Sequence, residues 1–239
     1  RISSKTRLVW LEAPGSVTME FTDLIEMLSL CHARGVICAL DNTWGAGLAF
    51  NAFDLGGESV DISVQALTKY PSGGGDVLMG SIITRDEALH ARIQGTHMRM
   101  GMGVGGNDAE VVLRSLPSLA LRYAAHDRSA RALARWFQSR PEVVQVLHPA
   151  LEGSPGHANW KSVCGGGQAA GLFSVVFHER FSVPEVERFC DSLSLFKLGY
   201  SWGGPISLVV PYNVASMRGP AWPYKGVLVR FSTGLEAVD

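Results

Sequence analysis

The sequence has little of what marks several classes of protein. It contains four cysteines among 239 residues, at positions 31, 38, 164 and 190, and none of them forms a CxxC pair. This spacing fits neither a zinc motif nor a disulfide-rich scaffold, and it predicts buried, reduced thiols. The 21 lysines and arginines nearly balance the 22 acidic residues. Since the sequence also lacks a basic run, we expect no nucleic-acid partner and no binding to an anionic membrane.

Long apolar runs are absent as well. No stretch reaches the length that crosses a bilayer, and the opening residues, "RISSKTRLVWLEAPGS", lack the apolar core of a secretory signal. We therefore expect a cytoplasmic protein. The sequence begins with Arg1 and enters an apparent strand at once. This start predicts a processed or split polypeptide, or one without its N-terminal part.

Two features that could suggest ligand binding are weak. The segment "GMGVGG", residues 101 to 106, matches GxGxxG formally, but it follows a helix-like segment instead of a strand. A nucleotide-binding fingerprint needs a strand before it, so we predict a glycine-rich loop. The seven histidines, at 32, 90, 97, 126, 148, 157 and 178, show no i,i+4 pairing and no acidic partner at metal spacing. We therefore expect no metal site.

The first half of the chain alternates predicted strands and helices. Strands are predicted in "RLVWLEAP", "VICALD", "SVDISVQALT" and "DVLMGSIIT", and a helix in "EFTDLIEMLSLCHARG" that stops at Gly35. Thr84 and Glu87 have the spacing of a capping box and predict the start of another helix. Short apolar strands between helices are typical of a mostly parallel sheet with helices on both faces.

The second half of the chain has a different pattern. From Asn107 we predict one long helix or two, with Pro117 kinking or dividing it. Five strands are predicted in "VVQVLHP", "GLFSVVF", "LFKLGY", "ISLVVPY" and "VLVRFS". A helix in "SVPEVERFCDSL" lies between them, with Ser182 at its N-cap. This is an α+β arrangement joined to the α/β part through the long helix.

Two opposite charges follow neighbouring predicted strands of the first half. Asp41 ends one strand, and Thr68 and Lys69 closely follow the next. In open α/β sheets, ligands bind beyond the carboxyl ends of the strands, so this pair is a candidate site. A simple ion pair, or a solvated lysine beside a loop-capping aspartate, explains the charges equally well.

A family resemblance gives these residues specific roles. The stretch "DNTWGAGLAFNAFDLGGESVDISVQALTKY" is similar to the cofactor segment of the pyridoxal-phosphate enzymes of cysteine and methionine metabolism, and "HPALEGSPGHANWK", "LFKLGYSWGGPISL" and "VLVRFSTGLE" continue the similarity. The resemblance covers essentially all 239 residues, in order. It implies an α/β fold of fold type I, like that of aspartate aminotransferase. It divides the chain into the C-terminal part of the large cofactor-binding domain, residues 1–112, and a small α+β domain, residues 113–239.

The resemblance implies that Lys69 carries pyridoxal 5′-phosphate covalently. Asp41 would then pair with the protonated pyridine nitrogen, which keeps the ring an electron sink. Thr68 would donate its hydroxyl to the cofactor phosphate, while Ala66 stands where many relatives have a second donor, a serine. Ser16, in "EAPGS", would lie near the phenolic oxygen of the cofactor.

The substrate side of the site follows from the same resemblance. Arg230 would hold the substrate α-carboxylate, with the two-pronged geometry that arginine supplies. Taken alone, Arg230 is equally consistent with a charge at a strand edge. Ser201 and Trp202, in "YSWGG", would lie beside the substrate. Within the family, "YSWGG" most resembles the bacterial cystathionine β-lyases.

The implied reaction is α,β-elimination of L-cystathionine to homocysteine, pyruvate and ammonia, a trans-sulfuration step of methionine biosynthesis. Other C–S lyases of the family, such as γ-lyases and γ-synthases, are the alternative, as is a truncated or split chain without activity of its own. The partners implied are an amino-acid substrate and further copies of the chain, in a dimer or a tetramer. A separate N-terminal chain is a further possible partner.

Two departures from the family pattern accompany the resemblance. After Lys69 and Tyr70, relatives commonly read like "LVGHSD", whereas this chain has "PSGGGD", with Gly74 in place of the usual histidine. The family's N-terminal elements, a phosphate-binding loop and a tyrosine that stacks on the cofactor, have no counterpart in these residues. The resemblance therefore predicts a site that needs further groups for completion.

Overall fold

The computed structural model describes residues 2–238 and contains two separate β-sheets. The first sheet has four strands in the order β1-β2-β3-β4: β1 (Leu8–Glu12), β2 (Ile37–Asp41), β3 (Ile62–Ala66) and β4 (Gly80–Ile83). Strands β1, β2 and β3 run parallel, and β4 runs antiparallel to β3. All four strands lie where the sequence predicted them, and the sheet is mostly parallel as expected.

Four helices belong to the first part of the chain and its connection to the second: α1 (Leu24–His32), α2 (Glu87–Met100), α3 (Gly106–Ser115) and α4 (Leu119–Gln138). A 3₁₀ turn at Leu116–Ser118 separates α3 from α4. Pro117 therefore divides the long helical segment, as predicted, since proline lacks the backbone donor that would continue the helix. The predicted glycine-rich loop is confirmed, because it connects α2 to α3 and follows no strand.

The predicted capping box at Thr84 and Glu87 is wrong. Helix α2 begins at Glu87, and its N-cap is Asp86, whose carboxylate accepts a hydrogen bond from the amide of Leu89 at 2.6 Å. The hydroxyl oxygen of Thr84 instead accepts from the amide of Asp86 at 3.2 Å. This contact involves the N-cap residue and no amide of the helix itself. A charged carboxylate is the stronger acceptor for the free amides of a first turn, which explains the shift.

The second sheet has five strands in the order β5-β6-β9-β8-β7. Their bounds are β5 (Val143–Leu147), β6 (Leu172–Phe177), β7 (Lys197–Leu198), β8 (Leu208–Tyr212) and β9 (Leu228–Ser232). Neighbouring strands are antiparallel except β7 and β8. All residues of β6 and β9 are buried, so these two strands form the centre of the second sheet.

Three further helices lie in this part: α5 (His157–Cys164), α6 (Val183–Ser192) and α7 (Val214–Arg218). Helix α6 was predicted, and Ser182 forms a capping box with Glu185 at its start. Sequence patterns predicted neither α5 nor α7, which are only 8 and 5 residues long. The predicted domain boundary after residue 112 falls inside α3, and the division into two domains stays a prediction.

Direct hydrogen bonds connect the two sheets around a buried tyrosine. The hydroxyl of Tyr70, shortly after β3, accepts from the amide of Gly171 at 2.8 Å, and Gly171 precedes β6. The hydroxyl of Ser174, on β6, donates to the carbonyl of Val17 at 2.6 Å. These contacts hold the loops after β1 and β3 against the second sheet.

The four thiols are free and buried, as predicted. Within residues 2–238 no helix combines the length and the apolar character needed to cross a membrane.

Candidate active site

The candidate site lies where β2 and β3 end side by side. Asp41 is the last residue of β2 and is partly buried. Its Oδ1 accepts from the amide of Thr43 at 2.9 Å, and the Thr43 hydroxyl oxygen accepts from the amide of Ala66 at 2.8 Å. The end of β2 is thereby fixed to the end of β3, three residues before Lys69. Asp41 and Lys69 therefore belong to the same edge of the sheet, as the sequence predicted.

A tight turn after β3 carries Lys69. The amide of Lys69 donates to the carbonyl of Ala66 at 3.2 Å. The hydroxyl of the buried Ser72 lies 3.0 Å from the carbonyl of Thr68 and 3.2 Å from that of Lys69, and it accepts from the amide of Gly75 at 3.2 Å. Ser72 belongs to the "PSGGGD" segment that departs from the family pattern. This segment therefore supplies its own support for the lysine turn.

Helix α4 holds the same turn from the other side. Nη1 of Arg122 donates to the carbonyl of Tyr70 at 2.6 Å, and its Nη2 donates to the carbonyl of Ser115 at 3.1 Å. The guanidinium thus joins the residue after Lys69 to the break between α3 and α4. Sequence reasoning missed this role of Arg122, because no local pattern relates it to a turn 52 positions away.

The side chain of Lys69 is directed at the "YSWGG" segment. Its Nζ donates to the hydroxyl oxygen of Ser201 at 3.1 Å and lies 5.2 Å from the ring centroid of Trp202. Burial lowers the pKa of Lys69, and the positive charge of Arg230 lowers it further. The amine is therefore easier to deprotonate than that of an ordinary lysine, which favours service as a nucleophile or a base.

The backbone conformation at position 203 explains why a glycine follows Trp202. Its φ of +77° lies in the left-handed region, and a Cβ at this position would approach the amide nitrogen of Tyr70 to 2.9 Å. The backbone of "YSWGG" therefore packs directly on the lysine turn. This close approach brings Ser201 and Trp202 to Lys69.

Arg230 lies in β9, between β6 and β8, with 6% of its surface exposed. The alternative of a charge at a strand edge is therefore excluded, since β9 has a partner on each side. Its Nη2 donates to the carbonyls of Tyr200 at 2.7 Å and Ser201 at 3.4 Å. Burial lowers the pKa of Arg230. Within residues 2–238, Nε of this guanidinium is buried without a hydrogen-bond partner.

Thr68 and Ser16, the two remaining predicted residues, have other contacts. The hydroxyl oxygen of Thr68 accepts from the amide of Met79 at 3.2 Å, and the hydroxyl donates to the carbonyl of Met79 at 3.5 Å. In this structure the loop before β4 therefore uses the donor that the prediction gave to the phosphate. Ser16 is exposed, and its amide donates to Glu12 Oε2 at 3.3 Å. Glu12 pairs in register with Asp41, which places the Ser16 loop at the same edge of the sheet.

This set of groups fits the cofactor that the resemblance implied. A lysine amine with a lowered pKa can bond to an aldehyde, and the carboxylate of Asp41 can pair with a protonated ring nitrogen. The unpartnered Nε of Arg230 is a buried donor without an acceptor, a state that a substrate carboxylate would relieve. The chemistry of the donors therefore matches pyridoxal phosphate with an amino acid.

Comparison with known proteins gives a consistent result. The family model "Cys/Met metabolism PLP-dependent enzyme" matches residues 1–239. The cystathionine β-lyase of Salmonella typhimurium is 37% identical over 245 residues, which cover 100% of this chain and 60% of that protein. The cystathionine β-lyase MetC of Escherichia coli is 35% identical, with the same shares covered. The chain thus spans about three fifths of the length of these relatives.

A solved structure agrees on the fold. The structure of apo CalE6, a methionine γ-lyase from Micromonospora echinospora, superimposes with a TM-score of 0.86 at 30% identity. The match covers 99% of this chain and 61% of that one. The fold-type I architecture is therefore confirmed.

Proposed function

The chain belongs to the Cys/Met metabolism PLP-dependent enzymes, and from that premise we propose that it performs α,β-elimination of L-cystathionine in its assembled enzyme. The products are homocysteine, pyruvate and ammonia, which makes the reaction a step of methionine biosynthesis. The observation that carries this proposal is the grouping of Lys69, Ser201 and Arg230 at the carboxyl edge of the first sheet.

Lys69 is the proposed proton carrier of the reaction. Pyridoxal phosphate, when bound, withdraws electrons from the substrate Cα. The neutral amine of Lys69 removes the proton from Cα and returns a proton to the sulfur that leaves Cβ. The lowered pKa of Lys69 supports this role, because a base must be unprotonated at working pH.

The other predicted residues bind and orient the substrate and the cofactor. Arg230 holds the substrate α-carboxylate through its free Nε and so fixes the direction of the Cα–H bond. Ser201 accepts a hydrogen bond from the Lys69 amine and holds it next to the substrate. Asp41 holds the proton on the cofactor's ring nitrogen, Thr68 contributes to phosphate binding, and Trp202 covers the amine. Ser16 completes the set near the phenolic oxygen.

A γ-lyase or γ-synthase activity is the second candidate, because the methionine γ-lyase CalE6 shares the fold at 30% identity. The 37% identity to a named β-lyase favours β-elimination. Purified protein incubated with pyridoxal phosphate and L-cystathionine distinguishes the two. β-Elimination releases homocysteine and pyruvate, whereas γ-elimination releases cysteine and 2-oxobutyrate.

We propose that the enzyme works as a dimer or tetramer in the cytoplasm. The exposed apolar side chains of Leu78, Met98 and Leu121, with 90%, 74% and 77% of their surface accessible, support an association of chains. Further copies, or a separate N-terminal chain, are the proposed partners. Light scattering of the purified protein measures the number of chains, and electrophoresis shows whether a second polypeptide accompanies them.

A further inference from the structure

A second cluster of chemically active side chains lies at the other end of the first sheet. His32 ends α1, Cys38 stands near the start of β2, and Asp61 immediately precedes β3. Cys38 is three residues before Asp41, which ends the same strand, so about 10 Å of strand separates this cluster from the Lys69 edge. The cluster is therefore independent of the proposed reaction.

The three side chains converge on one small space. A nitrogen of His32, the sulfur of Cys38 and a carboxylate oxygen of Asp61 all lie within 4.8 Å of one another. His32 Nε2 and Asp61 Oδ2 are 3.6 Å apart. Four-coordinate zinc, with bonds of about 2.0–2.3 Å, places neighbouring ligand atoms roughly 3.3–3.8 Å apart. The three ligand atoms thus lie nearly close enough together, and they reach zinc geometry if they approach one another by about 1 Å.

Glu58 fixes the orientation of the imidazole. Its Oε2 lies 2.9 Å from Nδ1 of His32, so Nδ1 donates to the carboxylate, while Nε2 lies on the opposite side of the ring, 3.6 Å from Asp61 Oδ2. Histidines that bind metals typically donate their second ring N–H to a carboxylate in this way, because that contact sets the tautomer and the ring direction. This contact is a second observation, separate from the clustering of the donors.

Asp61 is held in place too. Its Oδ2 accepts from the backbone amide of Cys38 at 2.7 Å, which couples the carboxylate to the residue that supplies the sulfur. The side chains of His32 and Asp61 are 34% and 37% exposed, so solvent ions reach the cluster from this side. The sulfur of Cys38 closes the buried side, since that residue has no exposed surface.

We propose that His32 Nε2, Cys38 Sγ and a carboxylate oxygen of Asp61 bind a zinc ion, with water as the fourth ligand. Thiolate and imidazole ligands favour zinc over magnesium or calcium. The histidine spacing predicted no metal site, because the ligands come from a helix, a strand and a loop and share no local motif. Since α1, β2 and the loop before β3 each supply a ligand, bound zinc connects these segments at the amino end of the sheet.

Zinc binding changes the protonation of one ligand. Burial raises the pKa of Cys38 to about 12, so the metal-free thiol keeps its proton. The zinc–sulfur bond forms as the sulfhydryl bond breaks, and the proton leaves to solvent. His32 binds as neutral imidazole and Asp61 as carboxylate, so a single proton is released per zinc bound when both already have those forms.

Cobalt(II) titration of the chelator-treated protein tests the site directly. We expect a thiolate-to-cobalt charge-transfer band in the near ultraviolet, together with visible bands of four-coordinate cobalt, and both should disappear on addition of one equivalent of zinc. Cys38→Ser should abolish the charge-transfer band. Cys164→Ser is the matched control, because Cys164 is another buried thiol whose pKa is raised to about 12, and it should leave the band unchanged.

Two further variants, at polar residues, test the site independently in case Cys38→Ser does not fold. Asp61→Asn keeps an oxygen for the Cys38 amide but loses the carboxylate, and by calorimetry we expect zinc binding to weaken by at least the roughly 10-fold that loss of an outer-shell partner costs. Glu58→Ala removes the support of the imidazole, and about 10- to 100-fold weaker binding should follow. A cobalt band that persists in Cys38→Ser would overturn the proposal. So would an absence of zinc binding, which would leave His32 as an ion-pair partner of Glu58 and Asp61.

Discussion

The amine of Lys69 donates a hydrogen bond to the hydroxyl of Ser201 at 3.1 Å, although 132 positions separate the two residues. The carbonyl of Ser201 in turn lies 3.4 Å from Nη2 of Arg230. Ser201 therefore connects the proposed proton carrier to the proposed carboxylate-binding group. This connection joins the loop after β3 to the central strand of the second sheet, so chemistry at Lys69 depends on both.

Replacement of Lys69 by alanine should abolish turnover of L-cystathionine. The variant loses the amine that bonds to the cofactor and carries the proton, so the visible absorbance of the covalently bound cofactor should vanish as well. Lys225→Ala is the matched control, because the Lys225 side chain is 84% exposed. A Lys69→Ala variant that keeps both the absorbance and the turnover would show that another lysine carries the cofactor.

Arg230→Met should mainly weaken substrate binding. The buried guanidinium is the proposed partner of the substrate carboxylate, and loss of one partner of such a charged pair costs about 2 kcal/mol or more. We expect kcat/KM to fall by at least ~30-fold, chiefly through KM, while the cofactor stays bound. Arg128→Met, at an exposed position of α4, is the control. Loss of cofactor with unchanged KM would contradict the assignment.

The strands of this fold could be predicted from sequence, because short β-branched runs such as those of β2 and β3 carry their own signal. Residue patterns alone also suggested the pair of Asp41 and Lys69, since polar residues directly after buried strands fall at one edge of a parallel sheet. Family resemblance added Arg230, Ser201 and Trp202. Without it, a lone arginine in a strand has no distinguishing pattern.

Contacts between distant segments could not be predicted. Arg122 supports the lysine turn from a helix far along the chain, and the buried Ser72 does so from a segment that departs from the family pattern. Nothing in a local window relates these side chains to Lys69. The start of α2 was misplaced for a related reason: Thr84 and Asp86 both suit an N-cap, and their competition is decided by geometry.

The reactivity of Lys69 should depend on pH in a defined direction. Burial and the charge of Arg230 both disfavour the ammonium, so they lower the pKa of Lys69. The neutral, reactive amine should therefore appear at a lower pH than in N-acetyl-lysine amide. Labelling of cofactor-free protein with an amine reagent, followed by mass spectrometry across a pH series, gives the midpoint.

The Arg230→Met variant lacks the positive charge beside Lys69, so the pH midpoint for labelling of Lys69 should move upward. Burial remains the larger cause, so the midpoint should stay below that of the reference amide. Identical midpoints for Lys69 and the reference would contradict the proposed base.

Gly203→Ala should lower the free energy of unfolding and should also disturb the arrangement of the site. Alanine at a φ of +77° costs about 1–2 kcal/mol, and its Cβ would also meet the amide nitrogen of Tyr70 at 2.9 Å. Gly35→Ala is the matched control, because Gly35 has a φ of +62° but nothing within 4 Å of the added Cβ. Both variants should lose a similar amount of unfolding free energy from backbone strain, and Gly203→Ala should lose more from the clash.

Turnover separates the two variants further. In Gly203→Ala the "YSWGG" segment must move away from the lysine turn, so Ser201 loses its position beside Lys69 and kcat should fall. Gly35→Ala lies in the turn between α1 and β2 and should keep kcat near that of the unmodified protein. Urea unfolding and steady-state kinetics measure the two effects separately. Equal kcat in both variants would mean that close packing of Gly203 on Tyr70 does not position Ser201 for the reaction.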